Sequence, residues 1–414
     1  MKTLNFTSWT VSGVTVALLG AYGFFLRMWD LGTQSLWIDE VFTLNGARAV
    51  LAHGYPLLES GHVYVNNFVT VYLAAGIIKV FGFTAFHPDL VRIPAVLFGT
   101  ACIVGIYVLG KKLFNDRRIA VLASVLVAFS THAIAWSRQV RGYEAAAFAI
   151  ILALWFTWSY VQGGKRSHCI GACIALAFGC LSHWVVLSLI PVCILAWWLK
   201  KRPVLFIISS IVVPIVPIIF CAPLTFLIPR YVGFPFLAPA AVLIAWAALK
   251  GADTVLHRWS GALRTTAAYA VVLLAFSPLL TAVPKSLYEL DLVSPQSDYA
   301  SLYQLIQKER KPGDFIISTE PVVTNLYLGE YGAWIPYSLY RHDEPDVYTG
   351  VRALNTLEEL KSYTAGKHGF IIWPETTVHL DRNRLTYIVD NSRSKILIQG
   401  LTARRSEPIW VFEF

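Results

Sequence analysis

The sequence predicts an α-helical polytopic membrane protein that carries a small α/β soluble domain toward its C-terminus. Three observations lead there. Of the 414 residues, 56% are hydrophobic and 14% charged, with a mean hydropathy of +0.57, well outside the range of soluble globular chains. The apolar residues fall in runs long enough to cross about 30 Å of hydrocarbon. Past Val283 that pattern stops, charged residues become frequent, and no further run is long enough to span.

About nine runs of roughly 17–25 apolar residues qualify as candidate spans. They are Trp9–Leu26, Val91–Gly110, Ile119–Trp136, Ala145–Val161, Cys169–His183, Trp184–Leu199, Val204–Ala222, Phe234–Leu249 and Leu263–Val283. The first is followed by Arg27, Trp29 and Asp30, with no small-residue cleavage site, so it is expected to be a retained signal-anchor helix. Lys and Arg near span ends stay preferentially in the cytoplasm. With the N-terminus inside, the inner loops hold Lys2, "KKLFNDRR" (Lys111 to Arg118), Lys165, Arg166, "KKR" (Lys200 to Arg202), Lys250, Arg258 and Arg264. An odd number of spans then sends the C-terminus outside. The expected location is the plasma (inner) membrane, with residues 1–283 as the transmembrane domain and residues 284–414 as a periplasmic or extracytoplasmic domain.

In that outer domain the pattern reads helix Asp298–Lys311 stopped by "KPG", strand Phe315–Thr319, helix Thr356–Tyr363 and strand Phe370–Trp373. Helix Arg382–Asn391, strand Lys395–Gln399 and a terminal "PIWVFEF" strand follow. The alternation predicts a small α/β domain with a structural or acceptor-docking role. There is no G-x-G-x-x-G and no P-loop, so neither a nucleotide site nor a nucleic-acid partner is expected. All six cysteines lie in predicted spans, where they read as small packing residues.

The acids of the membrane part are Asp30, Asp39, Glu40, Glu59, Asp89, Asp116, Glu144 and Asp253, and on this topology all but Asp116 and Asp253 face outward. A transporter more often places ionisable groups at mid-membrane depth in two related halves. Between the first two spans, "NNFVTVYLAAGIIKVFG" reads as an interfacial helix in the first outer loop, with Trp29, Trp37 and Phe42 as interfacial anchors for the acidic pair of "SLWIDEVFT". Asp39 and Glu40 also fit the first turn of a helix beginning "IDEVFTLNGARAV". Other outward segments carry cations: "AWSRQVRGYEAAAF" holds Arg138, Arg141, Tyr143 and Glu144, and "LIPRYVGFPFLAP" holds Arg230 and Tyr231. Each arginine alone reads as a snorkelling side chain. Together with the acids they supply one membrane face with a base and cations for an anionic lipid head group.

Four stretches, in order, resemble the GT-C glycosyltransferases of the protein O-mannosyltransferase and lipid A aminoarabinose transferase branch. "LWIDEVFT" is similar to the family's Asp-Glu motif, and "GHVYVNNFVTVYLAAGIIKVFGFTAFHPDLVRIPAVLFG" to the stretch that follows it. "AWSRQVRGYEA" resembles Tyr-Ser-Gln-Glu-Ala-Arg-x-Tyr-Ala, and "IPRYVGFPFLAP" resembles Arg-Tyr-x-x-Pro. His62 lacks the double proline that usually follows, and Gln139 stands where the family has Glu. A second acid is then supplied by Glu59 or Glu144, or is absent.

The resemblance implies a GT-C fold and inverting transfer of a sugar from a polyprenyl-phosphate donor to a lipid, glycan or protein acceptor. Such transfer needs a carboxylate to take the acceptor's proton and cations for the charge growing on the departing phosphate. The implied base is Asp39, with Glu40 orienting it or the substrate. The implied phosphate ligands are Arg138, Arg141 and Arg230, with His62, Tyr143 and Tyr231 shaping the pocket. No cofactor is required, although a divalent cation near Asp39 and Glu40 is compatible with the residues. Arg27 and Arg48 match no motif and are expected to tolerate lysine. Competing readings are a polyprenyl-diphosphate-glycan ligase or polymerase and a non-enzymatic lipid flippase or transporter.

Overall fold

The computed structural model of the chain describes residues 6–221, 236–288, 297–336, 343–374, 381–401 and 407–414, with side chains from Gly13 and as far as Ile215 in the helices at 6–28 and 203–221. Its contacts divide it into two compact units. One comprises Met1–Asp30, Asn66–Thr70 and Arg92–Val293, and the other Leu31–Val65, Val71–Val91 and Ser294–Phe414. In chain order the first helices are α1 (Phe6–Met28), α2 (Ile38–His53), α3 (Phe68–Phe81), α4 (Asp89–Phe114), α5 (Arg117–Phe129) and α6 (Thr131–Ser137). They are followed by α7 (Tyr143–Gly163), α8 (Arg166–Ser182), α9 (Ile190–Leu195), α10 (Pro203–Cys221), α11 (Leu237–Val255) and α12 (Gly261–Ala275).

Among the described residues, α4, α7 and α11 are each long and apolar enough to cross a membrane. Helices α3, α5, α8, α9 and α12 are shorter, and several breaks in the expected runs have local causes. The run Ile119–Trp136 is interrupted at Ser130, whose hydroxyl accepts from the Ala133 amide at 3.2 Å and so caps α6 where an uninterrupted helix was expected. The run Trp184–Leu199 divides into a 3-10 helix, Trp184–Leu189, and the single short helix α9, which has Pro191 in its first turn. His183 opens that stretch, its Nδ1 accepting from the Val185 amide at 3.2 Å. In the last run the helix stops at Ala275 and a 3-10 turn containing Pro278 follows.

At the start of α5 the expected inner charges form a cluster. Asp116 caps the helix by accepting from the Arg118 amide at 2.9 Å. The Arg118 guanidinium pairs with Asp116 at 2.8 Å and Asp253 at 3.0 Å, and Arg264 lies 3.5 Å from Asp253.

The second unit holds a five-stranded sheet in the order β2-β1-β3-β5-β4, built from β1 (Phe315–Ser318), β2 (Ala333–Trp334), β3 (Gly369–Pro374), β4 (Ser394–Ile398) and β5 (Ile409–Glu413). β1 runs parallel to β2 and β3, while β5 runs antiparallel to β3 and β4. Every strand and helix expected in this region forms, each within about two residues of its expected end. Thr356 caps its helix by accepting from the Glu359 amide at 3.2 Å, and Glu359 returns a carboxylate to the Thr356 amide at 2.8 Å. Phe315, Ile317, Leu360, Ile371, Ile388 and Phe412 form the core, each fully buried apolar side chain contributing about 1.5–3 kcal/mol. Helix Pro321–Leu328 and β2 are additions to the expected pattern.

Candidate active site

The acidic pair sits where a helix begins. Asp39 and Glu40 occupy the first turn of α2, where aligned backbone N–H groups favour negative charge. Glu40 is 1% exposed, and its Oε2 accepts from the Trp37 amide at 3.3 Å. Its carboxylate therefore closes the helix entry. Asp39 is half-buried, and its carbonyl accepts from the Thr43 hydroxyl one turn on at 3.0 Å. Thr43 also meets the buried Tyr64 hydroxyl at 3.5 Å. The Tyr64 ring packs so closely on Gly46 that an added Cβ there would lie 2.8 Å from it, so this helix face requires glycine. At the far end Gly54, at φ 80°, terminates α2 by donating to the Val50 carbonyl at 2.8 Å.

Glu59 and His62 lie in the tight turn closed by the Leu57–Val63 bridge, and both are exposed. Glu59 bonds the Tyr331 phenol, whose pKa is pushed up first by burial and then by that carboxylate. Among the described residues, no group of three or more His, Cys, Asp or Glu converges on one point to hold a metal ion.

The first unit contains the other predicted residues, gathered in the segment that follows the break at Ser130. Arg138 is 1% exposed and bonds four main-chain carbonyls: Nη1 donates to Arg27 and Trp29, and Nη2 donates to Asp30 at 3.0 Å and Ser286 at 2.9 Å. One of those carbonyls lies in the last turn of α1 and two just past its end, where a cation complements the helix dipole. Its guanidinium also lies over the Tyr288 ring, 5.2 Å from the centroid. Arg138 thus works as a clamp on the backbone, and its use as a phosphate ligand loses support.

Arg141 is treated differently. Its Nη1 donates to the Asn67 side-chain oxygen at 3.1 Å, the amide oriented so that its nitrogen donates to the Ser182 carbonyl at 3.2 Å. The guanidinium lies 5.7 Å from the centre of the Tyr143 ring. Tyr143 is wholly buried between Trp136 and His183, with ring centroids at 4.5 and 4.8 Å. Gly142 permits this closeness, because a Cβ there would lie 2.1 Å from the Ser182 carbonyl oxygen.

Glu144 is 2% exposed. Its Oε1 accepts from the Ser137 hydroxyl at 2.8 Å, while Ser137 in turn accepts from Arg27 Nε at 2.9 Å. Arg27 is completely buried and also donates to the carbonyls of Gly23, Ala128 and Val127. The expectation that Arg27 tolerates lysine therefore loses support: it is an interior hydrogen-bonding hub. Arg48 is likewise anchored, through Asn325 Oδ1 at 3.2 Å and the Leu326 carbonyl at 3.4 Å. Arg230 and Tyr231 lie outside the described residues.

Asp39, Glu40, Glu59 and His62 thus belong to one unit, and Arg138, Arg141, Tyr143 and Glu144 to the other. Asn67, Ser137, Ser182 and His183 were not picked out from the sequence. The one available signal was the polar "NN" doublet just before an apolar helix.

Residues 66–228 match the dolichyl-phosphate-mannose-protein mannosyltransferase family. No curated protein matches the chain by sequence. Among solved structures, ArnT from Cupriavidus metallidurans, in the apo state and bound to undecaprenyl phosphate, shares the fold at a TM-score of 0.51. The identity is 10%, with 98% of each chain covered. The Pmt1-Pmt2 protein O-mannosyltransferase complex of S. cerevisiae, bound to the sugar donor, aligns at TM-score 0.40 and 17% identity over 60% of this chain and 34% of that one. The Archaeoglobus fulgidus oligosaccharyltransferase AglB, in complex with an inhibitory peptide and a dolichol-phosphate, aligns at 0.39 and 15% identity. The alignment covers 66% of this chain and 38% of AglB.

Proposed function

We propose, from the premise that this chain belongs to the GT-C glycosyltransferase superfamily, that it moves a sugar from a polyprenyl-phosphate donor to an acceptor at the outer face of a membrane. The observation that carries the reading is Arg141. It is 9% exposed, steadied by an uncharged amide and an aromatic ring, and lies in a segment that matches the mannosyltransferase family. A guanidinium recognises a phosphate through its planar fork. Arg138, by contrast, donates both Nη atoms to carbonyls.

In this reading Asp39 takes the proton of the acceptor hydroxyl as the oxygen attacks the anomeric carbon. The bond from that carbon to the donor phosphate breaks, and the phosphate leaves with its electron pair. Glu40 holds the start of α2 and with it the turn that carries Asp39. Tyr143 backs the arginine, and Arg230 and Tyr231 are proposed as further donor ligands from their sequence motif alone. The boundary near residue 283, the inner N-terminus, the outer C-terminal domain and about nine spans belong to the same proposal.

The test is turnover by the purified chain. Synthetic polyprenyl-phosphate-linked mannose and aminoarabinose are supplied with an envelope lipid and protein extract, and release of free polyprenyl phosphate is followed. Extract-dependent release from one of these donors is expected. Binding of the lipids without any release would point to a flippase or transporter.

A further inference from the structure

The second unit contains a contact to α2 that sugar transfer does not by itself require. Tyr348 stacks on Phe42 with ring centroids 3.9 Å apart and planes 13° from parallel. Phe42 is three residues beyond Asp39, so the two are neighbours on the helix surface. A helical side chain leans toward the N-terminus, which brings the Phe42 ring over the turn that carries Asp39.

The loop that presents Tyr348 is tightly built. Asp346 Oδ2 accepts from the amides of Tyr348 at 3.1 Å and Thr349 at 2.8 Å, and from the Thr349 hydroxyl at 2.7 Å. Gly350 then turns the chain back at φ 74°, its amide donating to the Asp346 carbonyl at 2.7 Å. Two more bonds tie this loop to the segment that carries the acidic pair: Asn45 Nδ2 donates to the Tyr348 carbonyl at 3.4 Å, and the Ser60 hydroxyl donates to the Val347 carbonyl at 2.5 Å. The ring and both bonds meet one stretch of chain, Phe42 to Ser60.

We propose that Tyr348 is a positioning residue for Asp39, its ring fixing the first turns of α2 and thereby the direction of the Asp39 carboxylate. The inference rests on the reading of Asp39 as the base. It makes the loop at 346–350 part of the catalytic apparatus, acting through α2 and not by touching substrate. A displacement of about 1 Å at a reacting group can cost up to about 10²-fold in rate. A stacked ring on the base's own helix is well placed to prevent one.

The experiment uses the full chain, synthetic polyprenyl-phosphate-linked mannose and aminoarabinose, and the envelope extract. Tyr348→Ala is expected to lower turnover at saturating donor by about tenfold while leaving polyprenyl-phosphate affinity nearly unchanged. Tyr348→Phe, which keeps the stacking ring, should restore turnover. In an Asp39→Asn background Tyr348→Ala should reduce the residual rate no further, because the group it positions is already gone. If Tyr348→Ala fails to fold, Asn45→Ala replaces it, with a smaller loss expected in the same pattern. Normal turnover of Tyr348→Ala beside a crippled Asp39→Asn would overturn this inference alone. An equal loss in both backgrounds would also overturn it, since that marks a general structural effect. Full turnover by Asp39→Asn would overturn the base reading and this inference with it.

Discussion

The two ends of α5 handle arginine in opposite ways. At its start, Arg118 pairs with Asp116 and Asp253 while its side chain stays about one third exposed, and Arg264 adds a second cation to Asp253. Beyond its other end, Arg27 and Arg138 are wholly buried and bond main-chain carbonyls, and Arg141 is steadied by the Asn67 amide. Carboxylates neutralise a guanidinium, whereas carbonyls and amides solvate it and leave its charge in place. The first arrangement suits a water-facing surface and contributes little stability. The second holds the guanidinium by hydrogen bonds in a buried setting, where water and salt screen its interactions least.

Removing a buried guanidinium should have the largest effect on the protein itself. Arg138→Ala leaves four carbonyls without their donor, at roughly 1–3 kcal/mol for each that water does not reach. A sharp fall in folded yield and thermal midpoint is expected, measured in detergent with the chain's intrinsic tryptophans. Arg138→Lys should rescue little, since a single ammonium cannot reach carbonyls spread around a planar fork. Arg27→Lys should behave like Arg138→Lys, and tolerance of both would erase the contrast.

Arg141→Lys comes next. The fold should survive, while affinity for polyprenyl phosphate should fall about tenfold, near 1.4 kcal/mol. A loss of stability equal to that of Arg138→Lys, with unchanged lipid affinity, would place Arg141 among the structural clamps.

The exposed end should respond least. Asp253→Asn is expected to change stability by less than about 1 kcal/mol, and less still at high salt. Burial raises the Asp116 pKa, but the larger combined effect of its hydrogen bonds from Arg118 holds it below the usual carboxylate value. Asp116 is depressed in the folded chain, so its contribution is complete above the ordinary carboxylate pKa of about 4 and is lost as pH falls through the lower folded value. A pH titration of stability should therefore show a small loss in acid that Asp116→Asn reduces. A change on the alkaline side would not fit.

The same contrast decides what was legible in the sequence. Signals local to a few residues came through: the helix expected from Thr356, the "KPG" stop, and the acids that open α2. Where packing against distant residues decides the outcome, the linear pattern was silent. Ser130 interrupts a run that is apolar on both sides, and nothing in hydropathy separates it from a tolerated serine. Helix Pro321–Leu328 was missed because "PVVTNLYL" is buried along nearly its whole length and lacks a polar face. Of the candidate site, Asp39, Arg141 and Tyr143 could be singled out by residue type and order. Arg27 looked like an ordinary basic span end, and Asn67 carried no mark of its contact with a residue more than 70 positions away.

The central claim is that Asp39 serves as the base of sugar transfer from a polyprenyl-phosphate donor. It is tested most directly by the turnover of purified Asp39→Asn, with polyprenyl-phosphate affinity measured on the same sample. The side chains are nearly isosteric, so affinity and thermal midpoint should stay close to those of the unaltered chain, while turnover should fall by about 10²-fold or more. Near-normal turnover by well-folded Asp39→Asn would contradict the account.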